Sequence, residues 1–149
     1  MEGAVTIIKR MDHFTIVSDR LEETRVFYAH FGLRSGDRPD FDGPGLWLYA
    51  GDHPVLHVIG RSEDEMPSLR RGALDHMAFA ADDLEGSISL LRSLQIEYRI
   101  VRTPRPWSFW QLFFLDPNGA EVELQFDPAS PTPAEVREAR ATRRGNVTA

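Results

Sequence analysis

Two histidines in this chain occupy matching places. His13 follows Asp12 and precedes the apolar run Phe14-Thr15-Ile16-Val17; His76 follows Asp75 and precedes Met77-Ala78-Phe79-Ala80, 63 residues later. A second pair matches at an offset of 66: His57, between Leu56 and Val58, falls on Glu123, between Val122 and Leu124. Three imidazoles and a carboxylate make a donor set for one divalent ion such as Zn, Fe(II), Mn, Ni or Co, rather than for Mg alone. The chain has no cysteine, which excludes disulfides, thiolate ligands and a cysteine nucleophile. A lone strand histidine is most often a half-buried, hydrogen-bonded residue, and a lone glutamate is usually solvated. Four such residues that respect a repeat offset point instead to a shared metal site. His30 and His53 have no counterpart and read as surface residues, one at a helix end and one in a turn.

The elements that must position these groups repeat as well. Met11 to Val17 and Leu74 to Ala80 read as first strands. Asp19-Arg20-Leu21-Glu22 and Asp82-Asp83-Leu84-Glu85 then read as capping boxes that start helices. Leu21, Phe27, Tyr28 and Phe31 form the apolar face of one helix, and Leu84, Ile88, Leu91 and Leu94 that of the other, with Gly32 a stop for the first. Leu46 to Tyr49, a turn at Gly51 to Pro54, and Val55 to Val58 read as a hairpin; Leu112 to Leu115, Pro117 to Ala120, and Glu121 to Leu124 read as its copy. The three-residue difference between offsets predicts a longer loop in the second copy, between Tyr98 and Trp110. Each copy is strand, helix, strand, strand, strand, with the second strand poorly marked. The class is α+β: two βαβββ modules forming a curved mixed sheet with helices on its outer face. Side chains alternate across a strand, so His57 and Glu123 face away from Leu56, Val58, Val122, Leu124 and Phe126. If the copies pair about a local two-fold axis, the four chemical residues converge on it.

The modules cover residues 11–60 and 74–127. Residues 1–10 form an N-terminal extension, the polar residues 61–73 a linker, and residues 128–149 a tail. Within the tail, Thr132-Pro133-Ala134-Glu135 reads as the start of a short terminal helix, or of a clasp on a partner subunit. Asn146-Val147-Thr148 has the form of a glycosylation site but carries no meaning without a secretion signal. The 149 residues are 42% hydrophobic and 27% charged, ordinary globular composition. No run approaches the ~20 apolar residues of a spanning helix. The run Ala4 to Ile8 is too short for a secretion signal, so the expected location is the cytoplasm. A formal charge of −6 argues against nucleic acid as a partner.

Asp12-His13, Leu74-Asp75-His76 and above all Asp116-Pro117-Asn118-Gly119-Ala120-Glu121-Val122-Glu123-Leu124 resemble the vicinal oxygen chelate superfamily over about Met11 to Phe126. That superfamily includes glyoxalase I, bleomycin-resistance proteins and extradiol ring-cleaving dioxygenases, and its fold is the glyoxalase/dihydroxybiphenyl dioxygenase-like one. The resemblance implies paired modules around a metal, with His13, His76 and Glu123 on the common ligand positions. His57 falls where glyoxalase I has a glutamate ligand, so it either completes the metal shell or acts as a base. The resemblance further implies a homodimer in which modules of two chains pair.

The shared chemistry of that superfamily is a metal holding two vicinal oxygens of a small substrate, and the fold alone does not choose the reaction. The reading adopted is a glyoxalase-like enzyme of lyase or isomerase type, working through a metal-stabilised enediolate or oxyanion with Glu123 or His57 moving the proton. An Fe(II) extradiol dioxygenase of catechols is the alternative. Against it, no histidine stands in Thr103-Pro104-Arg105-Pro106-Trp107, and Phe113 replaces the tyrosine expected three residues before Asp116-Pro117. A non-enzymatic antibiotic-binding protein of the bleomycin-resistance type is the other alternative. Trp47, Tyr49, Trp107, Trp110 and Gln111 are the expected substrate-binding residues. Phe113 and Phe114 are read as core, and Arg102 and Arg105 as cations available to an anionic group.

Overall fold

A computed structural model describes residues 7–70 and 72–145. The Asn146-Val147-Thr148 triplet and most of the N-terminal extension lie outside the described residues. The chain divides into two units, Met1–Arg70 and Arg71–Ala149.

The first unit runs β1 (Phe14–Ser18), α1 (Leu21–His30), β2 (Arg34–Gly36), β3 (Gly45–Ala50) and β4 (His53–Gly60). A single 3₁₀ turn follows at Glu63–Glu65. The sheet order is β1-β4-β3-β2. β2, β3 and β4 form an antiparallel meander, and β4 closes parallel against β1, with Thr15 beside His57. A parallel pair needs a crossover, and α1 supplies it. Phe27 and Tyr28 on α1 are buried, as are Leu48, Leu56 and Val58 on the sheet.

The second unit repeats the order with β5 (Met77–Ala80), α2 (Leu84–Ser93), β6 (Tyr98–Arg102), β7 (Trp110–Leu115) and β8 (Glu121–Phe126). Its sheet order is β5-β8-β7-β6. Leu84, Ile88 and Leu91 on α2 are buried, as are Trp110, Leu112, Phe114, Val122, Leu124 and Phe126 on the sheet. Each unit is thus a four-stranded mixed sheet with one helix between its first and second strands: the βαβββ module read from the sequence. The hairpin β6–β7 stays paired to Arg102↔Trp110, three positions further than the equivalent of Gly36↔Trp47. That extension is where the second copy gains its extra residues.

Three local expectations are corrected. First, the strands begin one residue after the histidines, at Phe14 and Met77. The Asp-His pairs bond to themselves through their side chains, and strand pairing starts only beyond them.

Second, the helix caps lie one residue later than read. Arg20 holds the cap position of α1 without a side-chain cap, and Asp19 binds the Arg20 guanidinium instead. Ser18 accepts the Arg20 N–H, and the Thr24 hydroxyl donates to the Arg20 carbonyl. In α2 the cap is Asp83, which accepts from Gly86 N at 2.9 Å. Gly86 stands where a capping box needs glutamate.

Third, His53 is not in the turn but opens β4, opposite Ala50 on β3. Phe113 is buried as read, 8% exposed, on the face of β7 that carries Gln111 and opposite Glu123 on β8.

Gly32, with φ of +91°, ends α1 as read: Gly32 N–H bonds to Ala29 and Leu33 N–H to Tyr28. The tail forms α3 (Ala134–Gly145). Its first turn is held by Glu85, which accepts the Ala134 N–H, and by Tyr98, which donates to Glu135.

Candidate metal-binding half-sites

In the second unit the hairpin turn sets the aim of the last strand. The Asp116 carboxylate accepts the N–H groups of Asn118 and Ala120 at 2.8 and 2.9 Å, and Gly119 takes φ of +80°. β8 leaves this turn with Val122, Leu124 and Phe126 under α2, and with Glu121, Glu123 and Gln125 on the opposite, open face. Glu123 is nevertheless buried, 4% exposed. Its Oε2 lies 2.8 Å from His76 Nε2, and its Oε1 accepts from the Gln111 amide at 2.6 Å. His76 Nδ1 lies 2.8 Å from Asp75.

His76 therefore has a carboxylate on each ring nitrogen. A neutral imidazole carries one N–H and cannot donate to both. His76 and Glu123 would hold a divalent ion, and Nδ1–H would then be given to Asp75, the usual carboxylate support behind a metal-binding histidine. The residues fit a metal. Ligand atoms of Asp75, His76 and Glu121 also lie within 4.8 Å of one another and form a cluster able to hold an ion. Asp75 is engaged on Nδ1, and Glu121 accepts from the Arg99 guanidinium.

The first unit holds a second constellation. His13 Nδ1 lies 2.6 Å from the Asp12 carboxylate. That hydrogen bond is the main cause that holds Asp12 below the usual carboxylate range, and it leaves His13 Nε2 as the free lone pair. The His13 ring stacks on His57 with centroids 3.7 Å apart, and His57 stacks on Trp47 at 3.9 Å and 7°. His57 Nε2 is buried with no hydrogen-bond partner. Burial, followed by the neighbouring His13, pushes the His57 pKa down and favours the neutral, metal-binding form. An orphaned imidazole nitrogen is costly unless something binds it.

The structure thus brings His76, Glu123 and Gln111 together in one unit, and His13, His57 and Trp47 together in the other. Tyr49, beyond a bulge at Leu48/Tyr49, donates to the Asp37 carbonyl and lies against Gly36 instead of joining the His57 stack. Trp110 shares the buried face of Leu112 and Phe114, under the Arg102 guanidinium, and does not line the Glu123 face. Trp107 is 68% exposed in the β6–β7 connection. Arg102 is spent on Trp110 and the Pro128 carbonyl.

Glu121 and Arg99 are site neighbours that the sequence does not single out; Asp75 reads there only as part of its motif, Phe113 as core and His53 as a surface residue. His53 donates to the Asp12 carbonyl at 2.7 Å and so steadies the segment that presents His13. The signal for Glu121 was present in its strand parity with Glu123. The signal for His53 was not, because the first residue of β4, 41 positions from Asp12, shows no periodicity with it.

Residues 10–124 match the family model of the Glyoxalase/Bleomycin resistance protein/Dioxygenase superfamily, and the chain belongs to that superfamily. No curated protein matches the chain at a significant level. Among solved structures, a Bacillus anthracis protein assigned to the glyoxalase family is similar, with a TM-score of 0.67 and 22% identity, over 83% of this chain and 98% of that one. A glyoxalase family protein from Enterococcus faecalis gives 0.61 and 26% identity, over 80% and 99% of the two chains. The lactoylglutathione lyase of Agrobacterium tumefaciens gives 0.60 and 21%, over 85% and 100%.

Proposed function

We propose that this protein is a divalent-metal-dependent, glyoxalase-like enzyme of lyase or isomerase type, acting on a small substrate with vicinal oxygens. His13, His57, His76 and Glu123 make up the ligand set for one ion per site, and the working form is a cytoplasmic homodimer. The observation that carries the reading is His76 held between two carboxylates, a geometry that one ion at Nε2 resolves. When bound, the ion supplies positive charge for two neighbouring substrate oxygens and lowers the cost of taking a proton from the carbon beside them.

The chain's own residues supply the rest. Glu123 is the proton carrier, and Gln111 holds in one orientation its Oε1, the oxygen that does not face His76. His57, kept neutral by burial, is the alternative proton acceptor if it stands off the ion instead of binding it. Trp47 and Phe113 present apolar surface beside His57 and His76 and keep water from the reacting carbon. Ring cleavage is disfavoured by Phe113: it lies edge-on to His76, at 5.4 Å, and has no hydroxyl with which to handle a bound catechol.

The test is metal analysis of protein purified without added metal, followed by solvent-deuterium exchange into an α-hydroxy ketone with Zn or Mn restored. One ion per chain and metal-dependent exchange are expected. Protein that takes up no divalent ion would sink the reading. Rapid oxygen uptake with a yellow product from a catechol, using Fe(II)-loaded protein, would replace it with the dioxygenase.

A further inference from the structure

The open face of the second sheet has one cation among its described strand residues, Arg99. Ala78, Glu123, Phe113 and Arg99 form a cross-strand row, one residue from each of β5, β8, β7 and β6. The Arg99 guanidinium carbon lies 3.9 Å from the centre of the Phe113 ring. One of its nitrogens donates to Glu121 at 3.2 Å, and the side chain remains 57% exposed. Arginine has five N–H donors in a fixed fork, so this single contact leaves donors for a second, planar acceptor. Because the guanidinium leans over Phe113, it is displaced from Glu123 by about one strand spacing, ~4.8 Å. The Phe113 ring beneath the guanidinium is itself buried, 8% exposed.

We propose that Arg99 anchors a carboxylate of the substrate, and that the substrate class is a small 2-oxo or 2-hydroxy acid with a second carboxylate two or three bonds from its vicinal oxygens. This rests on the metal reading of His76 and Glu123, which sets where the vicinal oxygens lie. The carbon chain spans about that strand spacing across the open face, and the distal carboxylate takes the free edge of the guanidinium as a charge-assisted pair.

The probes are 2-oxoglutarate and 2-oxopentanoate, which share a five-carbon chain and differ in the distal carboxylate. Titration calorimetry on the metal-loaded protein should show at least tenfold tighter binding of 2-oxoglutarate. Arg99→Met, which keeps an apolar stem over Phe113, should reduce that preference to twofold or less while leaving metal content and 2-oxopentanoate affinity unchanged. Arg99→Lys should retain part of the preference. If the wild type holds its ion but binds the two acids equally, or binds neither, the Arg99 assignment fails by itself. A preference that survives Arg99→Met overturns it as well and leaves the arginine as a cover for Phe113. Protein that holds no divalent ion fails at the earlier step, and metal analysis of the same sample separates that outcome from the others.

Discussion

Removing the Glu123 carboxylate should cost the protein most of its bound metal, and Glu123→Ala is therefore expected to purify nearly metal-free by elemental analysis. Gln111→Leu is the subtler change. It leaves the ligand in place but releases the amide that holds Oε1, and loss of such outer support lowers metal affinity by about 10- to 100-fold. His57→Ala should also weaken metal binding, because it deletes a nitrogen that is buried and unpartnered. Full metal content with lost turnover in that variant would recast His57 as a base alone. At this scale the sequence was informative wherever strand parity operates. Val122, Glu123 and Leu124 alternate so cleanly that the outward aim of Glu123 could be read without coordinates. Phe113 and Arg99 were not readable in the same way. Phe113 sits in the run Leu112-Phe113-Phe114, where every residue is apolar and parity is silent. Arg99 reaches the Glu123 row only through the register of two hairpin pairings.

The two helices end by the same device with different residues. At the C-terminus of α1, Gly32 takes φ of +91°; at the equivalent place after α2, Gln95 takes φ of +56°. The next N–H reaches back identically, Leu33 to Tyr28 and Ile96 to Leu91. The left-handed region costs a side-chain-bearing residue roughly 1–2 kcal/mol, and glycine avoids that cost at some loss of chain entropy. Gly32→Ala should therefore destabilise by about 1 kcal/mol, with no steric contribution, since a Cβ there meets nothing within 4 Å. Gln95→Gly should stabilise by roughly 0.5 kcal/mol. Urea denaturation of the pair measures both, and a loss of stability in Gln95→Gly would contradict the argument. Gly32 announced its helix end in the sequence because glycine is the common solution. Gln95 gave no such notice, and the arginine at the α1 cap gave none either, because the Ser18 and Thr24 hydroxyls beside it take up the work of the cap.

For the molecule as a whole, the repeat offset was the most informative feature of the sequence. It gave both modules, and it put His13 and His57 in residues 1–70 and His76 and Glu123 in residues 71–149. Each unit thus carries half of the proposed ligand set. If modules of two chains complete one another, mixing His13→Ala chains with Glu123→Ala chains should restore one intact site per mixed dimer. About a quarter of the wild-type metal content is then expected after random exchange of an equal mixture, because half of the dimers are mixed and each of these has one intact site of two; the two starting preparations are each metal-poor. No recovery would mean that each chain uses its own four residues. Light scattering at micromolar concentration provides the independent check, with a dimer expected. Pairing between units has no periodic signature, so this level of organisation was not legible in the chain. Nor was the membrane question decided by composition alone; among the described residues no helix is long and apolar enough to cross a bilayer.

The parallel stack of Trp47 on His57 also makes the first unit its own optical reporter. An excited indole 3.9 Å from an imidazole is quenched to an extent set by the charge on that ring, through electron transfer to it, so a cation arriving on that imidazole changes the emission. Of the other two tryptophans, Trp110 is buried on the far face of its sheet and Trp107 stands largely in solvent. In a Trp107→Phe background, titrating Zn or Mn into the apoprotein should change the fluorescence in step with occupancy. Adding Trp47→Phe should remove that signal without removing the metal. The same stack that shields His57 would then let the filling of the site be followed by light, with no substrate known.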